Sequence, residues 1–160
     1  YGHALKEGFK IASGDWLAFY DFDGTCHPKD LKKLAQSLNK YPDSIVLGQR
    51  LNGDTQMPWL RKLGNYFFSR IINYILKSQI VDSCTGFRLF EKKHVKSFSI
   101  LPDDLNFSIA MTSFCLKNEI DIIEVPISYS ERIGNSKLNA IFHGLQFLFT
   151  SLRFSRRATL

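Results

Sequence analysis

Two carboxylates, Asp21 and Asp23, stand one residue apart at the end of the apolar run Leu17-Ala18-Phe19-Tyr20, followed by Gly24 and Thr25. Two chemistries use such a pair. One carboxylate can attack a phosphoryl group and carry it covalently while the other moves the proton. Alternatively, both can share a divalent cation whose remaining ligands are diphosphate oxygens. Either way the pair belongs at the C-terminal end of a strand, where ligands of open α/β sheets bind. The spacing alone also fits a turn with helix-capping acids.

The surrounding pattern supplies that strand. "DWLAFYD" is a continuous apolar run of strand length, as expected for a strand buried on both faces. Before it, Ala4, Leu5, Gly8, Phe9 and Ala12 fall at helical spacing, predicting a helix over 2–13 that ends at Gly14. After it, Pro28 opens a helix with Leu31, Leu34, Ala35 and Leu38 on one face. "SIVLGQR" reads as a second buried strand, and "QMPWLRKLGNYFFSRIINYILKS" as a long helix carrying Arg61, Lys62 and Arg70. A loop and strand follow in "VDSCTGFRLFEKK", then a helix over 105–118 and a strand in "IDIIEVPISY" edged by Pro126. Strands alternating with helices predict an α/β domain with a mostly parallel sheet.

The last stretch differs. Leu138, Ile141, Phe142, Leu145, Leu148, Phe149 and Leu152 form one helical stripe, widened by Phe147 and Phe154 and bracketed by Lys137, Arg153, Arg156 and Arg157. Such a basic, Phe-rich amphipathic helix suits a membrane interface. Packing on the domain's own core is the alternative.

Composition sets bounds. The 160 residues suffice for one domain with a core, and 44% hydrophobic with 22% charged residues is ordinary for a globular chain. A net charge of +6 favours anionic partners: nucleic acid, phosphorylated substrates or an anionic membrane. Three cysteines without Cys-x-x-Cys spacing argue against a disulfide framework or zinc site. No run of 18 apolar residues is present. The chain starts at Tyr1, already at the head of a helical pattern, as a fragment would.

"DFDGT" resembles the first motif of the haloacid dehalogenase superfamily, which would make Asp21 a nucleophile and Asp23 its acid/base in a magnesium-dependent phosphatase. That chemistry needs a further acidic pair at a later strand's end. The only adjacent pair, Asp103-Asp104, follows Pro102 where a helix is expected to begin, and acids there meet the helix dipole.

A second resemblance covers nearly the whole chain. "ALKEGFKIASGDWLAFYDFDG", "IVLGQR", "VDSCTGFRLF" and "IIEVPISYSERIGNSKL" resemble, in order, the motifs of family-2 glycosyltransferases. The dolichyl-phosphate mannosyltransferase and polyprenyl-phosphate glycosyltransferase branch is the most similar. The resemblance implies a GT-A fold: a Rossmann-like mixed α/β sheet flanked by helices. Residues 1–136 would be the C-terminal part of that catalytic domain and 137–160 an interfacial helix. It implies Asp21 and Asp23 as ligands of Mg2+ or Mn2+ and of the donor nucleotide sugar. Arg132, Ser136 and Lys137 would lie on a loop over the donor diphosphate. Arg50, Arg61 and Arg88 would bind the acceptor phosphate, and Asp82 would line the reaction centre as a catalytic residue beside Asp23 and Arg132. The implied reaction is inverting transfer of a hexose from GDP-mannose or UDP-glucose to polyprenyl or dolichyl phosphate. Its place would be the cytoplasmic face of a membrane, with an anchoring partner or downstream transmembrane segment and no nucleic acid. Glu124 and Pro126 are expected to be structural. The remaining alternative is a non-catalytic fragment that binds a membrane surface. Two departures stand out: Thr25 replaces a frequent Gln, and the family's leading strands with the nucleotide-base pocket would precede Tyr1.

Overall fold

A computed structural model of the protein describes residues 1–51, 55–134 and 140–156, and in the last helix the side chains from Gly144 to Phe154. In chain order the elements are α1 (Gly2–Ile11), β1 (Trp16–Phe19), α2 (Leu31–Lys40), β2 (Ile45–Gln49), α3 (Trp59–Leu76), β3 (Arg88–Glu91), α4 (Val95–Phe98), α5 (Phe107–Lys117), β4 (Ile122–Pro126) and α6 (Ala140–Arg156). One four-stranded sheet has the order β1-β3-β2-β4.

The sheet is mixed, and the expectation of a mostly parallel one is corrected. Only β2 and β4 pair in parallel, whereas β3 runs antiparallel to both β1 and β2. A four-residue strand such as Arg88-Leu89-Phe90-Glu91 can pair in either sense; its direction depends on which end of the sheet the preceding loop arrives at. This reversal shapes the site. The C-terminal ends of β1, β2 and β4 lie together, and the antiparallel β3 brings its N-terminal end, with the loop before it, to the same edge.

Side chains alternate across the sheet as a two-residue period requires. Ile45, Leu47 and Phe90 face one cluster with Leu17 and Phe19 of β1, Phe9 of α1, Phe98 of α4 and several α5 residues. Val46 and Leu89 face the other way, onto Leu34 and Leu38 of α2. The first cluster is aromatic: the Phe9 ring lies 5.3 Å from Phe90, edge-on, and 5.8 Å from Phe19. Offset and edge contacts of this kind add about 0.5–1.5 kcal/mol per pair to the gain from burial. β2 is buried at all five residues, as its sequence predicts. β1 is not: Leu17 and Phe19 point inward while Trp16 is 42% exposed. It is an edge strand covered on one face only.

Two helices differ in how much of their apolar surface they bury. α6 packs against α5 and α3. Its inward residues are Ser151 and Phe154, with Phe147 edge-on to Phe68 of α3, so the residues expected to widen the stripe are those that pack. Leu145 and Phe149, from the expected stripe itself, remain exposed; Leu138 lies outside the described residues, as do the side chains of Ile141 and Phe142. α3 buries only Ser69 and Ile72 and leaves Trp59, Leu60, Leu63, Tyr66, Phe67 and Tyr74 in solvent. No helix among the described residues is long and apolar enough to cross a membrane.

Candidate active site

Asp21 and Asp23 occupy the turn that leaves β1, and the fold treats the two carboxylates differently. Asp21 is half-buried against Gly86: a Cβ built on that glycine would lie 2.7 Å from the Asp21 Oδ2. Burial pushes the Asp21 carboxyl up, and repulsion from Asp23 adds to it; Arg50, a hydrogen bond from the Tyr1 hydroxyl and Arg132 only partly offset this. Burial, with the nearby Asp21 charge adding to it, raises the Tyr1 hydroxyl to about 12, so it stays protonated at neutral pH.

Asp23 is held by its own turn and by a cation. Its Oδ1 accepts the Thr25 N–H at 3.1 Å and the Thr25 Oγ1 at 2.5 Å, an Asx-type turn, and its Oδ2 meets an Arg132 guanidinium nitrogen at 2.6 Å. Burial pushes its carboxyl up, but the Thr25 hydrogen bonds and Arg132 outweigh that and hold it below the usual range. Gly24, between Asp23 and Thr25, has φ +79° and sits under Ile133, where a side chain would both strain the turn and collide.

The segment after β4 is stitched to this turn. The Ser130 N–H donates to the Thr25 carbonyl at 3.0 Å and the Ile133 N–H to the Asp23 carbonyl at 2.9 Å, while His27 Nε2 and Ser130 Oγ are 2.9 Å apart. On its other side the same segment holds the approach to α3, through Gln56 N–H to the Tyr129 carbonyl and Glu131 N–H to Gln56 Oε1. These contacts join residues about a hundred positions apart in sequence, so no local spacing announces them.

The loop before β3 is rigid for a countable reason: its polar groups are met from every side. Glu124 on β4 accepts the N–H groups of Val81 and Asp82 at 2.8 and 2.7 Å, a structural role as expected. Ser69 of α3 bonds Ser83, and Thr112 of α5 donates to the Ser83 carbonyl. Asp82 is wholly buried and held by Arg50 in a two-pronged pair, Nε to Oδ2 at 2.7 Å and Nη2 to Oδ1 at 2.8 Å. The Arg50 N–H adds a third bond at 3.1 Å, and the guanidinium lies 5.8 Å from the Tyr129 ring centre. Asp82 therefore keeps Arg50 firmly protonated despite burial.

These partners bear on three of the expected site residues. Asp82, expected to be catalytic, has both oxygens committed to Arg50. Arg50's fork is correspondingly turned inward. Arg88 is fully buried and donates to the Thr85 carbonyl at 2.9 Å and the Ser83 carbonyl at 3.2 Å, holding the turn from beneath. Burial alone pushes its guanidinium down to about 10, still charged at neutral pH. Arg61 stands exposed on the first turn of α3, with no ion pair among the described residues. Ser136 and Lys137 lie outside the described residues. Asp103 and Asp104 precede α5 rather than opening it, and their carbonyls accept the His3 and Gly2 N–H groups at the start of α1.

The donor set suits a hard divalent cation. Asp21 and Asp23 are oxygen ligands on one turn, and their mutual repulsion is what a cation would relieve. Among the described residues no group of three or more His, Cys, Asp and Glu assembles, so an ion's other ligands would come from substrate phosphates and water. Sequence reading passed over Tyr1, Thr25 as Asp23's hydrogen-bond donor, and Tyr129. Of these only Thr25, two residues after an Asp, carried a readable turn signal.

The profile of "Glycosyl transferase family 2" matches residues 1–98. A dolichyl-phosphate hexose transferase of Haloferax volcanii is 26% identical over 145 residues, 90% of this chain and 63% of that protein. A polyprenol monophosphomannose synthase of Mycolicibacterium smegmatis is 24% identical over 141 residues, 84% of this chain and 51% of that protein. The chain thus spans between half and two thirds of these relatives' lengths. Among solved structures, glucosyl-3-phosphoglycerate synthase of Mycobacterium tuberculosis, crystallised with Mn2+, UDP and phosphoglyceric acid, superposes with a TM-score of 0.74 at 16% identity. That match covers 99% of this chain and 55% of the other, and establishes the GT-A fold. With a family profile matching well over half of its residues, the chain belongs to glycosyl transferase family 2.

Proposed function

We propose that the chain is part of an inverting hexosyltransferase that moves a hexose from GDP-mannose or UDP-glucose to a polyprenyl or dolichyl phosphate. The observation that carries this is the convergence of Asp21, Asp23 and Arg132 at the end of β1, a paired-carboxylate site with a mobile-length cation beside it. The lipid-phosphate acceptor is supported by the names of the relatives, a dolichyl-phosphate hexose transferase and a polyprenol monophosphomannose synthase. Family membership displaces the phosphatase reading of "DFDGT".

Asp21 and Asp23 would hold Mg2+ or Mn2+, which supplies charge neutralisation for the departing nucleoside diphosphate. Arg132 adds a cation on the same side, with Ser136 and Lys137 following it in sequence. Arg61, exposed and unpaired among the described residues, is the candidate for the acceptor phosphate. A phosphate monoester has a second pKa near ~6 and arrives largely dianionic, so no catalytic base is required. This agrees with Asp82 being locked by Arg50.

The membrane-surface role moves in part from α6 to α3. α3 has no acidic residue, carries Arg61, Lys62 and Arg70, and exposes Trp59 at 75% and Phe67 at 66%. Rings and aliphatic side chains interleaved with cations suit the headgroup layer of an anionic, cytoplasmic leaflet. The test uses the full-length protein with Mn2+ or Mg2+, polyprenyl phosphate and each nucleotide sugar in turn. Labelled lipid-phosphate sugar that disappears in Asp23→Ala supports the reading. No product with either donor, with the protein folded and vesicle-bound, leaves only the membrane-binding alternative.

A further inference from the structure

Both oxygens of Asp23 are already in use. Oδ1 is committed to the Thr25 N–H and hydroxyl, contacts made within its own turn. Oδ2 is a buried atom without a hydrogen bond among the described residues, and what it meets is the Arg132 guanidinium as an ion pair; the Arg132 side chain is 27% exposed against 15% for Asp23. A cation binding at this turn therefore meets Arg132 in the place it needs. The backbone bonds of Ser130 to the Thr25 carbonyl and of Ile133 to the Asp23 carbonyl hold the segment on both sides of Arg132 to the same turn.

We infer that Arg132 is a place-holder cation that exchanges partners when the donor arrives: Asp23 passes from the guanidinium to the metal, and the guanidinium passes from Asp23 to the diphosphate. This rests on the donor-site reading above. The argument is one of charge. Asp21, Asp23 and Arg132 together carry one net negative charge, so a divalent ion arriving alone makes the cluster positive and evicts Arg132 with no anion to receive it. A metal–diphosphate complex brings the receiving anion with it. Arg132 thus disfavours the bare ion and favours the complex, so metal and diphosphate bind cooperatively. The site discriminates a loaded donor from free metal by ordinary ion-pair exchange.

The test is a Mn2+ titration of the full-length protein, followed by the electron paramagnetic resonance signal of free Mn2+, with and without pyrophosphate. In the wild type, pyrophosphate tightens Mn2+ binding. In Arg132→Ala, Mn2+ alone binds about fivefold tighter, the factor for one partly exposed ion pair, and the enhancement by pyrophosphate shrinks by a similar factor. Arg132→Lys, which keeps the charge, stays near the wild type for Mn2+ alone, and Asp23→Asn abolishes tight binding in every condition. If Arg132→Ala leaves Mn2+ alone unchanged or weaker while pyrophosphate still enhances binding, the exchange is overturned and the donor site stands. If the wild type binds no Mn2+ even with pyrophosphate, the donor-site reading fails and the exchange with it.

Discussion

Arg50–Asp82 and Arg132–Asp23 are the same chemical pair placed in two settings. In the first, the carboxylate is fully buried, the guanidinium 12% exposed, and three hydrogen bonds fix the geometry. In the second, a single 2.6 Å contact joins side chains 27% and 15% exposed, with the Asp23 Oδ2 itself buried. A buried charge cannot be left without its partner, because neither water nor another residue takes over. A pair whose guanidinium is 27% exposed loses less on opening, because water can reach that partner. The first is a strut that shapes the loop before β3. The second is a contact the protein can give up and remake, as the exchange inferred above requires.

The largest expected effect lies on the strut. Arg50→Ala strands Asp82 in the interior and should cost about 3–5 kcal/mol, read as a fall in urea midpoint at constant slope. Arg50→Lys keeps the charge without the planar fork and should recover less than half of that. A midpoint within experimental scatter of the wild type for Arg50→Ala would remove the distinction between the two pairs.

An intermediate effect is expected where the strut's loop touches the motif. In Gly86→Ala the new methyl meets the Asp21 carboxylate, the free end of a side chain, so the carboxylate moves and the backbone does not. Stability should change by less than ~1 kcal/mol, while Mn2+ affinity in the presence of pyrophosphate falls on the order of tenfold. A large stability loss with unchanged metal affinity would show that Gly86 serves the fold alone.

The strut and the exchangeable pair were unequally legible in the sequence. β1, β2 and α2 followed from apolar runs, helical spacing and Pro28, because burial imposes those patterns locally. The direction of β3 did not, and with it went the reason Asp82 reaches the site: strand sense is settled by how the chain enters the sheet. Arg88 reads as a ligand-facing cation, yet the antiparallel turn folds it beneath its own loop, where backbone carbonyls hold it. For α3 the apolar residues run nearly all the way round, and for α6 one stripe was legible but not which face would meet the domain. The Arg132–Asp23 contact joins residues more than a hundred positions apart and leaves no spacing to find.

The smallest effect sharpens the comparison inside the motif itself, through pH. Asp21's carboxyl is raised by burial and by Asp23, so its ionised form is worse off in the folded protein than in the unfolded chain. That penalty is absent below the unfolded pKa and grows as pH rises through the window up to the raised folded value. Asp23 is the reverse case. Burial works against its charge, but Thr25 and Arg132 win, so its folded pKa lies below the unfolded one. Its contribution is present above the unfolded pKa and is lost as pH falls through the folded one. At neutral pH, Asp21→Asn should therefore raise the melting temperature slightly and Asp23→Asn should lower it, each by an amount equivalent to ~1 kcal/mol or less. In acid below the carboxylate range both differences should shrink toward zero, since both carboxyls are then protonated in either state. Opposite signs at neutral pH would mean that the fold stores repulsion at Asp21 for a cation to relieve and holds Asp23 ready with a cation already in place. Equal signs would mean that the two acids share one environment, and Arg132 would then have no special claim on Asp23.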